Sequence, residues 1–242
     1  MDAVNQKKQY KSVSPTVTLA IPVLNEEKNL PYVLPGIPDM VDEVLLIDGH
    51  SSDNTRAVAG KLCPGARFVV QDGKGKGDAL RCAFRESRGD IIVTIDADGS
   101  MSPDEIPAFV EALVNGCDFA KGSRFLPGGG TSDMQFYRKL GNWIFVYLVN
   151  LIYGSTYTDL CYGYNAFWKD SVKDMTIVSS GFEIETEISV KACRMGLKVA
   201  EVPSYEDKRR HGASNLRSIR DGWRIFKTIA KHRSGKVLKR SV

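Results

Sequence analysis

The sequence predicts an α/β fold, a mostly parallel sheet with helices on both faces. Three observations predict it. Apolar, strand-like runs alternate with helix-like segments through the first half of the 242 residues. Each strand-like run ends in a loop rich in acids, glycines or cations. A hydrophobic content of 43% is ample for the core that such a sheet buries.

The elements follow in order. Residues 1–15 are polar, end in Ser-Pro and predict a loose arm. Strand patterns cover residues 17–21, 43–48, 66–70 and 90–95, and helix patterns cover 26–34, 53–61, 77–87 and 103–114. Pro103 suits a first helical turn, and Asp104 and Glu105 suit the positive end of the helix dipole. Strict alternation of this kind implies parallel strands joined by right-handed crossovers. A short apolar run, Phe119-Ala120, precedes a glycine-rich stretch (Gly128-Gly129-Gly130) that is expected to build the second half of a cleft.

Residues 136–153 place Trp143, Phe145, Tyr147 and Leu148 among polar residues. Two readings stand open: a core helix, or an amphipathic face touching lipid. A polar hinge at 154–158, a segment at 159–168, a helix at 183–195, a strand at 198–202 and a basic helix at 216–232 complete the chain. There is no internal repeat.

The formal net charge of +4 is too small to argue for nucleic acid. The basic residues are clustered, in Lys208-Arg209-Arg210 and at Lys227, Lys231, Arg233, Lys236, Lys239 and Arg240. Trp223, Ile225 and Phe226 interleave with the second cluster, which suits either a solvated helix or contact with an anionic bilayer. No run reaches the roughly 18 apolar residues of a membrane span. Cys63, Cys82, Cys117, Cys161 and Cys193 form no C-x-x-C pair. Their odd count and the lack of a signal peptide lead us to expect reduced thiols and a cytoplasmic location.

The chemistry gathers at strand ends, where open parallel sheets bind ligands. Asp96-Ala97-Asp98-Gly99 follows the apolar run Ile91-Ile92-Val93-Thr94-Ile95. Alternation starts both carboxylates on one face. Hard oxygen donors of this kind suit Mg²⁺ or Mn²⁺ shared with substrate phosphates. Glu26 and Asp48 are candidates to accept hydrogen bonds from a base or ribose. In Lys74-Gly75-Lys76-Gly77 the glycines would open backbone N–H groups to a phosphate, and the lysines add charge. The chain has neither G-x-G-x-x-G after its first strand nor G-x-x-x-x-G-K-[ST], which disfavours dinucleotide dehydrogenases and P-loop nucleotidases.

Taken together, seven ordered motifs resemble the family-2 glycosyltransferases, in particular the dolichyl-phosphate mannose or glucose synthase branch. Pro22, Asn25 and Glu26 fall on P-x-x-N-E, and Asp48 to Thr55 is similar to D-D-x-S-x-D-G-T. Lys74 to Ala79 resembles K-G-x-G-x-A, Asp96-Ala97-Asp98 matches D-A-D, and Gly122-Ser123-Arg124-Phe125 matches G-S-R-F. Thr158-Asp159 with Gly163 and Phe167 fits T-D-x-x-x-G-x-x-x-F, and Arg209, Gly212, Ser214 and Leu216 fit R-x-x-G-x-S-K-L. The pattern departs at Gly49-His50, Ser100 and Asn215, where the family has Asp, often Gln, and Lys.

The resemblance implies a GT-A fold over residues 16–215, with a nucleotide-binding half at 16–125, an acceptor half at 126–215 and a basic tail at 216–242. It implies an inverting transfer of a hexose from a nucleotide sugar of the GDP-mannose or UDP-glucose type. Pro22, Asn25, Glu26, Asp48, Lys76, Gly77, Asp96 and Ala97 would form the nucleotide site. Asp96 and Asp98 would hold the metal. Asp98, Arg124, Asp159 and Arg209 would serve catalysis, the arginines facing the donor diphosphate or an acceptor phosphate. A polyprenyl-phosphate acceptor is already anionic and needs no general base. A soluble acceptor or sugar hydroxyl would need one, for which Asp159 and Glu183 are candidates. His50 and His211 read as ordinary loop histidines. A non-catalytic nucleotide-sugar-binding protein is the third reading, and it leaves the acid pair unexplained.

Overall fold

A central seven-stranded sheet organises the molecule, in the order β3-β2-β1-β4-β7-β5-β8. The structure, a computed structural model, describes residues 14–213 and 217–234. Most of the expected arm, the motif positions Ser214, Asn215 and Leu216, and the basic residues Lys236, Lys239 and Arg240 lie outside the described residues.

The first half follows the βα rhythm of the sequence. Strands β1 (Val17–Val23), β2 (Glu43–Asp48), β3 (Arg67–Val70) and β4 (Ile91–Thr94) are joined by helices α1 (Leu30–Val33), α2 (Thr55–Leu62) and α3 (Lys76–Glu86). These strands pair in parallel, Thr18 against Glu43 and Val17 against Ile91. Along β1, Val17, Leu19, Ile21 and Val23 face one core and Ala20 faces the other, which is the period-2 alternation of a strand. The chain runs outward from β1 to β3, then returns to place β4 on the other side of β1. The carboxyl ends of β1 and β4 therefore flank a topological switch point.

The second half completes the same sheet. It contains α4 (Ile106–Val114), β5 (Phe119–Ser123), β6 (Gly130–Thr131), α5 (Phe136–Tyr153), β7 (Asn165–Trp168), α6 (Lys169–Val172), α7 (Ile184–Arg194), β8 (Val199–Pro203), β9 (Tyr205–Glu206) and α8 (Ser218–Lys231). Strand β7 runs antiparallel between β4 and β5, whereas β5 and β8 are parallel. Sequence reading left residues 159–168 without a type, because four residues carrying two aromatics are too short to show a period. Their strand is set by neighbours on both edges.

Helices cover both faces, as predicted. Leu30, Ala59, Phe109 and Leu113 pack on one side, and Leu80, Ala83, Ile184 and Ile188 on the other. A third cluster joins α5, α7 and α8 through Val149, Val190, Ile225 and Ile229. Among the described residues, no helix is long and apolar enough to cross a membrane.

Candidate active site

The loops that leave β1 and β2 are tied to each other. Asn25 and His50 both adopt left-handed backbone, φ +57° and +70°, a conformation that non-glycine residues rarely take and that tends to mark functional loops. In that conformation Asn25 accepts the Ser52 N–H at 2.8 Å and its own N–H donates to Ser51 Oγ at 2.9 Å. Asp48, nearly buried, accepts the Ser51 N–H at 3.1 Å. His50 faces the Gly73 carbonyl, and the His211 ring lies tilted against Tyr32, their centroids 5.6 Å apart. Pro22 and Glu26 line the β1 side of this loop pair, partly exposed.

Across the switch point, the acid pair sits in a tight turn just past β4. Each of its carboxylates meets a cation. Lys76 Nζ lies 2.6 Å from Asp96 Oδ1 and 3.2 Å from Glu185 Oε1. Arg209 places Nη2 at 2.8 Å from Asp98 Oδ2 and Nη1 at 3.5 Å from Glu26 Oε1. Burial works to lower the Lys76 ammonium, but Asp96 and Glu185 outweigh it and hold the group charged well above its usual range. Glu26 moves the other way. Burial raises its carboxyl, and Asp98 and Asp96 add to the rise, against the Asn29 hydrogen bond and Arg209. Four carboxylates, Glu26, Asp96, Asp98 and Glu185, and two cations thus converge on one crevice. Gly163 makes room for part of this cluster, since a Cβ there would stand 2.5 Å from Lys76 Nζ and 3.3 Å from Asp96 Oδ2. The segment after β9 folds over the turn, its Arg210 N–H donating to the Asp98 carbonyl at 3.1 Å.

The model of the family described as "Glycosyl transferase family 2" matches residues 18–176. The chain belongs to this family. It is a glycosyltransferase with the GT-A fold, in the dolichyl-phosphate sugar synthase-like branch. It is similar to glycosyltransferase AglJ of Haloferax volcanii, 36% identical over 87% of this chain and 69% of that one. It is also similar to an undecaprenyl-phosphate mannosyltransferase of Micrococcus luteus, 31% identical over 83% of this chain and 87% of that one. Among solved structures it resembles glucosyl-3-phosphoglycerate synthase of Mycobacterium tuberculosis, crystallised with Mn²⁺, UDP and glucosyl-3-phosphoglycerate. The TM-score is 0.72, with 23% identity over 90% of this chain and 80% of that one.

In this glycosyltransferase several expected site residues are already committed elsewhere. Ala97 turns into the core at 3% exposure, within the same turn that carries Asp96 and Asp98. The Gly77 N–H is spent on the Ser180 carbonyl at 3.1 Å, and Gly75 and Gly77 press against the backbone of residues 179–180. That corrects the expectation that Gly77 opens its backbone donor to a phosphate. The smallness of both glycines instead lets α3 begin against a neighbouring loop, which aims Lys76 at the crevice.

Arg124 and Asp159 are paired with each other in the interior. Asp159 is fully buried, and its two oxygens accept Arg124 Nε at 2.7 Å and Nη2 at 3.0 Å. Burial pushes the Asp159 carboxyl up, but the Arg124 guanidinium pushes it down further, to below its usual range. Arg124 also reaches Glu206 at 3.0 Å and lies over the Tyr162 ring. As placed, Arg124 is not free to face a phosphate and Asp159 is not open as a base. Glu183, the other base candidate, accepts the Gly181 N–H at the start of α7 and faces Arg224 of α8.

Sequence reading missed Glu185 and Glu206. Glu185 is 4% exposed, bonded to Asn165 and Lys76. Its signal was an acid set among the apolar residues of a helix that the fold buries, Ile184-Glu185-Thr186-Glu187-Ile188. Glu206 gave none, since a two-residue strand has no period to read.

Proposed function

We propose that this glycosyltransferase moves a hexose from a nucleotide-sugar donor to a polyprenyl phosphate at a membrane surface, with inversion at the transferred carbon. The observation that carries the reading is the crevice between β1 and β4, where Glu26, Asp96 and Asp98 meet Lys76 and Arg209. We place the nucleoside against Pro22, Glu26 and Asp48, and the diphosphate above the acid turn.

Asp96 and Asp98 would hold Mg²⁺ or Mn²⁺. The fit rests on their donor chemistry, two carboxylates with hard oxygens in one turn, each of which faces a cation, Lys76 for Asp96 and Arg209 for Asp98. A two-carboxylate site leaves coordination positions for donor phosphates. When bound, the ion would neutralise charge that builds on the departing diphosphate. Lys76 and Arg209 supply further positive charge at the same place, where charge develops as the leaving group departs. The nearly closed Arg124–Asp159 pair favours an acceptor that brings its own negative oxygen over a hydroxyl that needs a base. The name of the Micrococcus relative, an undecaprenyl-phosphate mannosyltransferase, supports the same choice.

The test is transfer from radiolabelled GDP-mannose and UDP-glucose to undecaprenyl phosphate, with Mg²⁺ or Mn²⁺. We expect organic-phase label with one donor, and a loss of at least about 100-fold in Asp98→Asn at an unchanged fold. Failure of both donors with polyprenyl phosphate, or undiminished transfer in chelator, would remove the proposal.

A further inference from the structure

Helix α5 is fixed to the body by one side only. Asn142, Val146 and Val149 are its buried residues. The opposite side exposes Phe136 (80%), Leu140, Trp143 (64%), Tyr147 and Leu151 (66%), at positions i, i+4, i+7, i+11 and i+15. That spacing is one continuous apolar stripe along the full helix. Helix α8 repeats the pattern, with Ile225 and Ile229 buried and Ile219 (92%), Trp223 and Phe226 exposed. A surface of this extent and composition is uncommon on a soluble domain and marks a binding face.

The two helices run side by side in the same direction. Gly222 lies against Phe145, and the Tyr153 hydroxyl donates to the Ile229 carbonyl at 2.6 Å. Their N-terminal ends border a shallow, open groove lined by Tyr137, Arg217, Ile219 and Arg220. The aromatic rings are pre-arranged, Trp143 with Tyr147 and Trp223 with Phe226, their centroids 6.2 and 5.5 Å apart.

Charge decides what this face fits. Helix α5 contains no acidic residue, and the one acid of α8, Asp221, is buried. Every exposed charged side chain on the two helices is basic: Lys139, Arg220, Lys227 and Lys231. Exposed Trp, Tyr and Phe flanked by Lys and Arg match a headgroup layer with anionic phosphates, where aromatic rings settle at the interface and cations meet lipid charge. A second copy of the chain would bring the same positive charge against it.

We propose that the joint outer face of α5 and α8 docks on an anionic bilayer, with the groove at its N-terminal end set against lipid phosphates. This deepens the polyprenyl-phosphate reading and rests on it for its purpose. The geometry brings the docked end close to the site. Thr131 Oγ1 donates to Glu206, the partner of Arg124, and α5 begins five residues later, within about 18 Å of extended chain. From Glu206, the last residue of β9, the chain continues to Arg209, which holds Asp98.

The experiment is flotation of the full-length protein with vesicles of phosphatidylcholine alone and of phosphatidylcholine with phosphatidylglycerol, at low and high salt. Wild type floats with the anionic vesicles and is released by salt. Each basic residue near the surface contributes about fivefold, so Lys139→Gln/Lys227→Gln/Lys231→Gln weakens binding about a hundredfold. Trp143→Ser/Trp223→Ser also loses binding, and both variants keep wild-type melting points because the changed side chains are exposed. Transfer to a short-chain, water-soluble polyprenyl phosphate is measured alongside, and the face variants retain it. If vesicles bind while no polyprenyl phosphate accepts sugar, docking stands and the acceptor reading falls. The docking proposal is overturned if wild type ignores anionic vesicles or if the variants float as wild type does. A sedimentation result in which Trp143→Ser/Trp223→Ser splits a dimer overturns it too, since the face would then join two copies of the chain.

Discussion

At the scale of single residues, the same side-chain types serve two different ends. Lys76 and Arg209 are cations held at carboxylates that border the crevice, with Asp96 about one-third exposed. Arg124 and Asp159 are a buried, bidentate pair with almost no solvent contact. Removing one partner of such a pair strands a charge in the interior, which costs about 3–5 kcal/mol. We therefore expect Arg124→Met to destabilise the protein by that amount in urea unfolding, and Asp159→Asn added to it to restore part of the loss. Recovery of nothing in the double variant would mean that the two side chains are not coupled. Motif matching alone could not separate these cases, because an arginine in G-S-R-F reads alike whether it faces a phosphate or an aspartate.

At the scale of elements, the glycines of the loop before α3 show how packing assigns a role. Gly75, at φ +89°, and Gly77 lie against the backbone of residues 179–180, and a Cβ on Gly77 would overlap it. Gly77→Ala is expected to cost about 1–3 kcal/mol and to shift Lys76 away from Asp96. Gly60, inside α2, has nothing within 4 Å of an added Cβ and no positive φ. Gly60→Ala should instead stabilise by about 0.5–1 kcal/mol. Thermal melts of both variants check the contrast, and equal shifts would refute it. The βα alternation of the first half was legible because each strand repeats an apolar period and each helix has its own stripe. Strand β7 was not, because its four residues are defined by β4 and β5 on either side.

At the scale of the whole molecule, the buried carboxylates set the response to acid. Asp159 and Glu187 are both fully buried and titrate below their usual values. In each, burial works upward and is outweighed, by Arg124 for Asp159 and by Lys191 and the Ser179 hydrogen bonds for Glu187. A depressed folded-state value means stability that is present above the unfolded value of about 4 and is lost as pH falls through the folded one. Glu26, raised, opposes this weakly, favouring the folded state while protonated and losing that contribution as pH rises. We expect the melting temperature to hold from neutral pH to about 5 and to fall steeply below 4 in calorimetry. A melting temperature flat to pH 3 would show that these carboxylates are not held as described.

The sequence by itself determined the family, the strand-helix order of the first half and the acid turn after β4, because those are local patterns of side-chain period and spacing. It also located the aromatic segments that became α5 and α8, but left open how much of each a core covers. Only the tertiary structure decided that, by packing one side of each helix and leaving the other bare. It also decided that Arg124 closes on Asp159 while Arg209 reaches Asp98. Those partners lie 35 and 111 residues apart, and pairings at such range are made by the folded sheet and the loops it positions, not by neighbours along the chain.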